Sequence, residues 1–475
     1  MSITKNFLFN SSITVSSYVA SFITFPYVSR ILGVDNLGIF SYVDNVISYF
    51  VLFIMLGVQT VGIREIASSG NSIEKRSKVF FSLTSFLLIS LLVVCLIYTI
   101  CIFNIPQLYQ YKRLFLIGYS KLVFGPLMME WVFSGMQDFK YISSRTILVR
   151  ILYVISVFIF VKNSDDIILY FALTCGSTLV SFIINIISLR KYISFSYVIV
   201  DLKPYFKPIF KIGSFSLIVS LYTSFNYIFL RNVSNETEVG LYYTAIRLYM
   251  VILALFMAFT NVMMPRVSEL LNEGDTVRVK QYLDKSFNSL FSFCFPLMTY
   301  SLLMTPFIIN VIAGKGYEGA ILPMRIVMPL LLIAGLNQIN GVQVLIPLRK
   351  DNVLLVTSSL SALSGLICNI LLTKTYGAIG CATCVLASEL TGCISGYFYS
   401  IKNKIFVFPL RSLFYHLFTS LPYIMVYVVV YYLCGNTIIC NLLISFLFIA
   451  YFLYSQICII KNQVVLSFIS KIKYY

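Results

Sequence analysis

Six ionisable side chains lie inside long apolar runs of this 475-residue chain. The set comprises Asp44, Lys121, Glu130, Arg247, Arg325 and Glu389. Charged groups are costly in hydrocarbon, so such residues pair with one another, face water or bind a ligand. A guanidinium group offers a planar fork that matches phosphate oxygens. The pattern therefore indicates either ion pairs that fix helix positions or a site for a phosphate-bearing molecule.

Both interpretations stay open for these residues. Three cations against three anions permit mutual neutralisation, whereas a water-filled cavity lined by cations would suit an anionic substrate. For that cavity we predict substrate contacts from Arg247, Lys121, Arg30 and Arg325. The candidates for charge pairing or for binding a coupling cation are Asp44, Glu389 and Glu130. We predict no catalytic residue, metal ligand or cofactor, because Cys381 and Cys384 lie in an apolar run without a second ligand pair.

Helix geometry relates these residues by depth and by face. Asp44, Lys121 and Arg247 each lie about seven residues into an apolar run, or about 10 Å below the outer surface. In an unbroken helix, Lys121 and Glu130 point to opposite faces, because nine residues at 100° end half a turn out of phase. Lys121 therefore needs a partner on another helix, and Asp44 lies at the same depth.

The elements that carry these residues are membrane helices. Hydrophobic residues make up 59% of the chain and charged residues 11%, a composition that excludes an ordinary soluble protein. Apolar runs of about 20 residues suffice to cross about 30 Å of hydrocarbon. They predict an all-α polytopic protein with about fourteen spans, near residues 7–29, 37–62, 79–103, 114–134, 146–161, 167–189, 209–230, 240–263, 287–313, 321–347, 353–373, 378–401, 412–433 and 438–460.

Lysine and arginine are distributed unevenly between the two sides. With a cytoplasmic N-terminus, 25 of the 35 basic residues fall on the cytoplasmic side, 7 fall on the other side and 3 lie inside spans. This bias predicts that both termini are cytoplasmic. The net charge of +17 is thus expected to set topology, and no nucleic-acid partner is predicted. Trp131, near the cytoplasmic end of its span, suits an interfacial anchor.

Two stretches of the chain resemble one another at an offset of 202 residues. One opens at Gly38 and ends at Arg64, and the other opens at Gly240 and ends at Arg266, each 26 residues later. Such weak symmetry is typical of transporters built from repeats. We predict two six-helix lobes in the same orientation. The expected parts are an N-lobe (1–200), a C-lobe (201–405), two peripheral helices (406–460) and a cytoplasmic amphipathic tail (461–475).

Several local motifs resemble those of the polysaccharide biosynthesis transporters. These motifs are Ser29-Arg30-Ile31-Leu32-Gly33, the segment from Glu130 to Ile142, the stretch from Gly240 to Arg247, and Tyr376-Gly377-Ala378-Ile379-Gly380. That family comprises lipid-linked oligosaccharide flippases of the multidrug, oligosaccharidyl-lipid and polysaccharide exporter superfamily. The resemblance covers most of residues 1–402.

The resemblance implies a bacterial inner-membrane flippase and not an enzyme. Its substrate would be a polyprenyl-diphosphate-linked repeat unit for O-antigen, capsule or exopolysaccharide, moved by alternating access. Implied partners are this lipid-linked glycan, the bilayer, and a glycan polymerase with its chain-length machinery. Two alternatives stay open: a cation-coupled multidrug exporter of the same superfamily, and a membrane glycan polymerase or glycosyltransferase. The short outer loops of the predicted topology leave little room for an enzyme's catalytic loop.

Overall fold

A computed structural model describes residues 3–70, 72–194, 200–435 and 437–460, and these residues contain helices but no β-strand. The all-α class is confirmed. The α-helices are α1 Ile3–Met55, α2 Val58–Ser68, α3 Ile73–Asn104, α4 Pro106–Tyr109, α5 Lys112–Phe124, α6 Glu130–Gly135, α7 Phe139–Phe160, α8 Ile167–Leu189, α9 Lys203–Thr223, α10 Phe225–Val233, α11 Glu236–Asn272, α12 Thr276–Leu303, α13 Thr305–Ile312, α14 Ile321–Val327, α15 Leu330–Gln338, α16 Asp351–Cys368, α17 Lys374–Lys402, α18 Leu410–Cys434 and α19 Ile438–Tyr454.

Eight of the described helical segments are long and apolar enough to cross a membrane, or ten if each of two bent helix pairs counts as one span. Two of the eight, Ser16–Met55 and Asp351–Lys402, have 40 and 52 residues, which is about two spans each. Glycines divide them, because Gly33 (φ 77°) and Gly377 (φ 54°) leave the helical conformation. Each of the fourteen predicted spans falls on a helix or on a broken helical run. The protein is a multi-pass membrane protein.

The chain divides into two compact units. Unit 1 contains Met1–Tyr243 and Asn369–Gly377, and unit 2 contains Thr244–Cys368 and Ala378–Tyr475. Inside unit 1, α1 packs against α3, α5, α7 and α10, while α5 packs against α8 and α2 against α6. Inside unit 2, α12 packs against α15 and α18, and α18 packs against α19. The predicted tail 461–475 lies outside the described residues.

The two glycines of the predicted repeat meet in one helix crossing inside unit 1. A Cβ atom added to Gly38 would lie 1.9 Å from the carbonyl oxygen of Glu236. A Cβ atom added to Gly240 would lie 2.1 Å from the carbonyl oxygen of Val34. Val34 and Glu236 are also separated by 202 residues, so the contact is reciprocal. Only glycine permits backbones to approach this closely.

A hydrogen bond beside this crossing also joins two residues that are 202 positions apart. The Oγ1 atom of Thr237 donates to Oδ1 of Asp35 at 2.5 Å, and the two residues are 202 positions apart. Equivalent positions of the repeat therefore face one another. The offset recognised in the sequence is a property of the packing in this part of unit 1.

The prediction that Trp131 is an interfacial anchor is wrong. Its side chain is only 1% exposed. The indole lies on Gly62, where an added Cβ atom would come within 2.5 Å of the ring atom Cε3, and it stacks on Phe80 with ring centroids 6.1 Å apart. The prediction rested on the position of Trp131 near the end of a span. In the structure, Gly62 on the neighbouring helix α2 has no side chain, and this leaves room for the indole ring inside the bundle.

We expect Gly38→Ala to lower the unfolding temperature of the detergent-solubilised protein. The added methyl group would collide with a backbone carbonyl, and overpacking of this kind costs about 1–3 kcal/mol. Gly176→Ala is the matched control, because no atom outside its own helix lies within 4 Å of the added Cβ atom, and alanine favours a helix over glycine by about 1 kcal/mol. Equal unfolding temperatures for the two variants would contradict the proposed role of the crossing.

Candidate functional site

Lys121 on α5 and Asp44 on α1 form an ion pair inside unit 1. The Lys121 Nζ atom lies 2.5 Å from Oδ1 of Asp44 and donates a second hydrogen bond to Oγ of Ser48 at 3.2 Å. The partnership expected from their equal depth is confirmed. The two side chains remain 22% and 27% exposed. The ammonium group is therefore neutralised but not sealed from a water-borne ligand.

The fourth predicted span is a broken helix. Helix α5 ends at Phe124, a 3-10 turn covers Pro126–Met128, and Met129 adopts a left-handed conformation (φ 50°) before α6 begins at Glu130. Proline has no backbone N–H to continue the helix. The periodicity argument that separated Lys121 from Glu130 therefore does not apply, although the two residues do have different partners.

Glu130 pairs with Arg145 on α7. The Arg145 Nη2 atom lies 2.6 Å from Oε1 of Glu130, and Nη1 donates to Oδ1 of Asn185 at 2.7 Å. The Asn185 Nδ2 atom in turn donates to the carbonyl oxygen of Met128 at 2.6 Å. This network satisfies a backbone group at the break and ties α6, α7 and α8 together.

The sequence interpretation missed the role of Arg145, because the predicted span 146–161 begins just after it and leaves it among the 25 cytoplasmic basic residues. Its side chain is only 4% exposed. The available signal was its place well inside α7, seven residues after the helix-capping Asp138, whose side chain accepts from the Tyr141 backbone N–H. A charged residue that deep in an apolar helix requires a partner.

The three other cations predicted to contact substrate occupy different surroundings. Arg30 is exposed on α1, three residues before the break at Gly33. Arg325 is exposed on α14, and its Nε atom donates to the Leu302 carbonyl oxygen at 3.3 Å. Arg247 is half-buried on α11. Arg30 belongs to unit 1, and Arg325 and Arg247 to unit 2. Their action on one ligand stays a prediction.

Glu389 on α17 is accompanied by an amide instead of a cation. The Asn337 Nδ2 atom on α15 donates to Oε2 of Glu389 at 2.7 Å and to its carbonyl oxygen at 3.2 Å. Across the part of the chain that the structure describes, no lysine or arginine nitrogen lies at ion-pair distance from Glu389. This carboxyl group thus differs from those of Asp44 and Glu130.

A further ionic cluster in unit 1 was not predicted. The Arg231 Nη2 atom lies 2.5 Å from Oε1 of Glu236 and 2.9 Å from the hydroxyl of Tyr111, which itself donates to Glu236. Burial raises the pKa of Tyr111 to about 12, so this hydroxyl is a neutral donor at physiological pH. Glu236 also belongs to the Gly38 crossing, and the cluster therefore reinforces that contact. The sequence feature that could have indicated this cluster is the spacing of Arg231 and Glu236, which lie five positions apart on either side of a helix break.

A buried amide network lies in another part of unit 1. The Asn369 Nδ2 atom donates to Oδ1 of Asn226 at 2.6 Å, and the Thr373 hydroxyl donates to Oδ1 of Asn369 at 2.8 Å. Asn369 and Thr373 bound a π-helical turn, Asn369–Thr373, between α16 and α17. The three side chains are at most 1% exposed. Their mutual hydrogen bonds satisfy polar groups that would be costly to bury alone.

The chain matches one protein family and is similar to two curated proteins. Residues 3–271 match the model of a family described as polysaccharide biosynthesis protein, which is more than half of the chain. The chain belongs to this family. A protein of Escherichia coli (strain K12) that carries the provisional name O-antigen transporter is 25% identical over 398 residues, which cover 82% of this chain and 94% of the relative. A Shigella dysenteriae protein of the same name is 24% identical over 81% of this chain and 97% of its own length.

Solved structures share the fold of this family member. The lipid II flippase MurJ in an inward closed conformation superposes with a TM-score of 0.75 at 17% identity, covering 95% of this chain and 98% of that one. An outward-facing multidrug resistance transporter of the MATE family and MOP superfamily gives 0.59 at 14% identity, covering 84% and 95%. The family resemblance read from the motifs is confirmed. The fold itself is common to flippases and drug transporters.

We expect Lys121→Met to lower the unfolding temperature, because it leaves the Asp44 carboxylate without its cation. Removing one partner of a fully buried pair costs about 3–5 kcal/mol, and the partial exposure of this pair reduces the expected loss to about 1–3 kcal/mol. Lys315→Met, at an exposed loop position, is the control. Asp44→Asn combined with Lys121→Met should regain part of the lost stability. An unfolding temperature of Lys121→Met equal to that of the control would show that the pair contributes nothing.

Proposed function

We propose that this protein is a flippase for polyprenyl-diphosphate-linked oligosaccharides. It would move repeat units from the cytoplasmic to the outer leaflet for synthesis of a surface polysaccharide such as O-antigen, capsule or exopolysaccharide. The observation that carries the proposal is the family match over residues 3–271. The names of the two relatives, which cover more than four-fifths of the chain, point to the same process.

The charges inside the spans suit this substrate. A lipid-linked repeat unit has a polar glycan and an anionic diphosphate that cannot enter hydrocarbon, and a polyprenyl tail that can remain in it. Arginine and lysine side chains provide hydrogen bonds and opposite charge for the diphosphate. Moving an anion out of a negative-inside cell is also favoured by about 2.3 kcal/mol per charge per 100 mV.

The cations would take different parts in binding. Lys121 is already positioned and neutralised by Asp44, so the diphosphate would compete with Asp44 for its ammonium group. Arg247, half-buried within a span, is our principal candidate for a bidentate phosphate contact. Arg30 and Arg325, which are exposed, would meet the substrate at entry or exit. The proposal retains the two six-helix lobes, residues 1–200 and 201–405, as the bodies that move in alternating access.

The cellular setting belongs to the same proposal. We place the protein in the bacterial inner membrane with both termini in the cytoplasm, as the bias of basic residues indicates. A glycan polymerase and its chain-length machinery would use the exported repeat unit. The protein would act without chemical conversion of its substrate, in keeping with relatives that are named as transporters.

A multidrug exporter is the second candidate function, favoured by the likeness to the MATE transporter fold. Such an exporter would be expected to recognise cationic drugs through carboxylates. Two of the three predicted anions in the spans, Asp44 and Glu130, are instead occupied by Lys121 and Arg145. A glycan polymerase or glycosyltransferase is disfavoured, because both named relatives are transporters.

We expect a deletion strain to accumulate lipid-linked repeat units that face the cytoplasm and to lose its surface glycan. Wild-type protein should restore export, and Arg247→Ala should not, because the diphosphate loses its main contact. The matched control is Arg278→Ala, which removes an exposed arginine of α12 whose ion pair is with Asp275, the residue that caps the same helix. Membrane levels of each variant are measured by immunoblot, and surface glycan by gel electrophoresis of extracted polysaccharide. Normal surface glycan in the deletion strain would refute the function, and full rescue by Arg247→Ala would refute the site.

The double variant Asp44→Asn with Lys121→Met separates a structural from a substrate-binding role for Lys121. It removes both charges and keeps the side-chain volumes, so a purely structural pair would be replaced without loss of export. We expect stable protein with export lost in the assay just described, because no ammonium group remains for the diphosphate. Export at the wild-type level would assign the pair to structure alone.

A further inference from the structure

Glu389 differs from three other partly buried acidic residues, Asp44, Glu130 and Glu236, in what accompanies its carboxyl group. Asp44 lies 2.5 Å from Lys121, Glu130 lies 2.6 Å from Arg145, and Glu236 lies 2.5 Å from Arg231. Each of these three carboxylates therefore has a cation beside it. Glu389 has the Asn337 amide at 2.7 Å and, among the described residues, no cation. A neutral amide cannot cancel the charge of an ionised carboxylate.

Glu389 is half-buried in unit 2, and polar side chains of α15 and α16 lie near it or one turn away. One turn further along α17, an added Cβ atom at Gly392 would lie 2.5 Å from the Ser361 hydroxyl on α16. The Thr391 hydroxyl on α17 donates to the Ser364 hydroxyl on α16 at 3.1 Å. Helix α15 thus brings an amide to Glu389, and α16 approaches α17 through hydroxyl-bearing residues within one turn of Glu389.

Charged groups are distant from Glu389 along each of these helices. Residues 330–345, which include α15 and the following π-helical turn, contain no charged residue. On α16 the one charged residue is Asp351, at its first position. On α17 the basic residues Lys374 and Lys402 occupy the two ends. The nearest titratable neighbour on its own helix is Cys393, one turn further on, and a thiol supplies no positive charge.

Two arguments identify the ion that such a carboxyl group takes. An isolated carboxylate in a medium of low dielectric constant is so unfavourable that it binds a proton instead. A metal ion would need several oxygen ligands, whereas the contact that Asn337 makes is through its N–H donor. The described residues also contain no group of three or more side chains of histidine, cysteine, aspartate or glutamate that could hold a metal ion. A carboxamide can donate to a carboxyl group and accept from its O–H, so it suits both protonation states.

We propose that Glu389 is a proton-binding site and that its protonation and deprotonation are coupled to transport. The binding of the proton stands on the geometry of unit 2 alone. The coupling rests on the proposed flippase function, in which a proton entering at Glu389 would supply part of the driving force. The step transfers one proton between water and a carboxyl oxygen and involves no other reactant.

Infrared spectroscopy of the full-length protein in lipid nanodiscs tests the site with the proton as its own probe. At neutral pH we expect a carboxylic acid C=O band that shifts in D2O, is absent from Glu389→Gln and is retained in Glu318→Gln. The control alters an exposed glutamate in the short 3-10 turn Glu318–Ala320. Absence of the band in wild-type protein at neutral pH would overturn the site, and this measurement requires no variant to fold. A band that disappears when NaCl replaces KCl at constant pH would overturn the proton assignment in favour of a sodium ion.

Complementation of the deletion strain tests the coupling separately. We expect Glu389→Gln to reach the membrane and to lose export, whereas Glu318→Gln exports normally. Full export by Glu389→Gln would overturn the coupling and leave both the flippase function and the proton site standing. Normal surface glycan in the deletion strain itself would overturn the flippase function, while the infrared result would still decide the proton site.

Discussion

The energetic cost of placing a charge in hydrocarbon governs the internal organisation of this protein. Each ionised group inside a span requires an opposite charge, a hydrogen-bonding shell or water. Lys121 and Asp44 satisfy this requirement by linking α5 to α1, and Glu130 and Arg145 satisfy it by linking α6 to α7. The ion pairs therefore neutralise buried charges and also determine which helices are neighbours. The Lys121 ammonium group, 22% exposed, is more accessible to a ligand than the Arg145 guanidinium group, which is 4% exposed.

Close helix approach is the second requirement, since helices in lipid gain little from hydrophobic burial against one another. The reciprocal contact of Gly38 and Gly240 shows how absent side chains permit this approach. The cluster of Arg231, Glu236 and Tyr111 lies beside it and adds charge-assisted hydrogen bonds. Steric fit and electrostatics thus act at the same crossing. The 202-residue offset places equivalent parts of the repeat on its two sides.

Fold and family contribute different information about function. The fold is shared with the lipid II flippase MurJ and with a multidrug resistance transporter of the MATE family, so the fold alone does not identify the substrate. Membership of the polysaccharide biosynthesis family narrows the substrate class. Glu389 has no cation at ion-pair distance among the described residues, and we therefore assign it to a proton and not to the substrate.

The sequence by itself determined the membrane class, the roughly fourteen helical runs, and the matching positions of Asp44 and Lys121 along their helices. Those properties follow from local hydrophobicity and from the rise per residue, which need no knowledge of neighbours. Equal depth even indicated the pairing of Asp44 with Lys121. Only the tertiary structure decided that Arg145 is the partner of Glu130, that the fourth span breaks at Met129, and that Trp131 lies against Gly62 inside the bundle. Such contacts depend on which helix faces are brought together, and the order of residues along one helix does not encode the surface of the next.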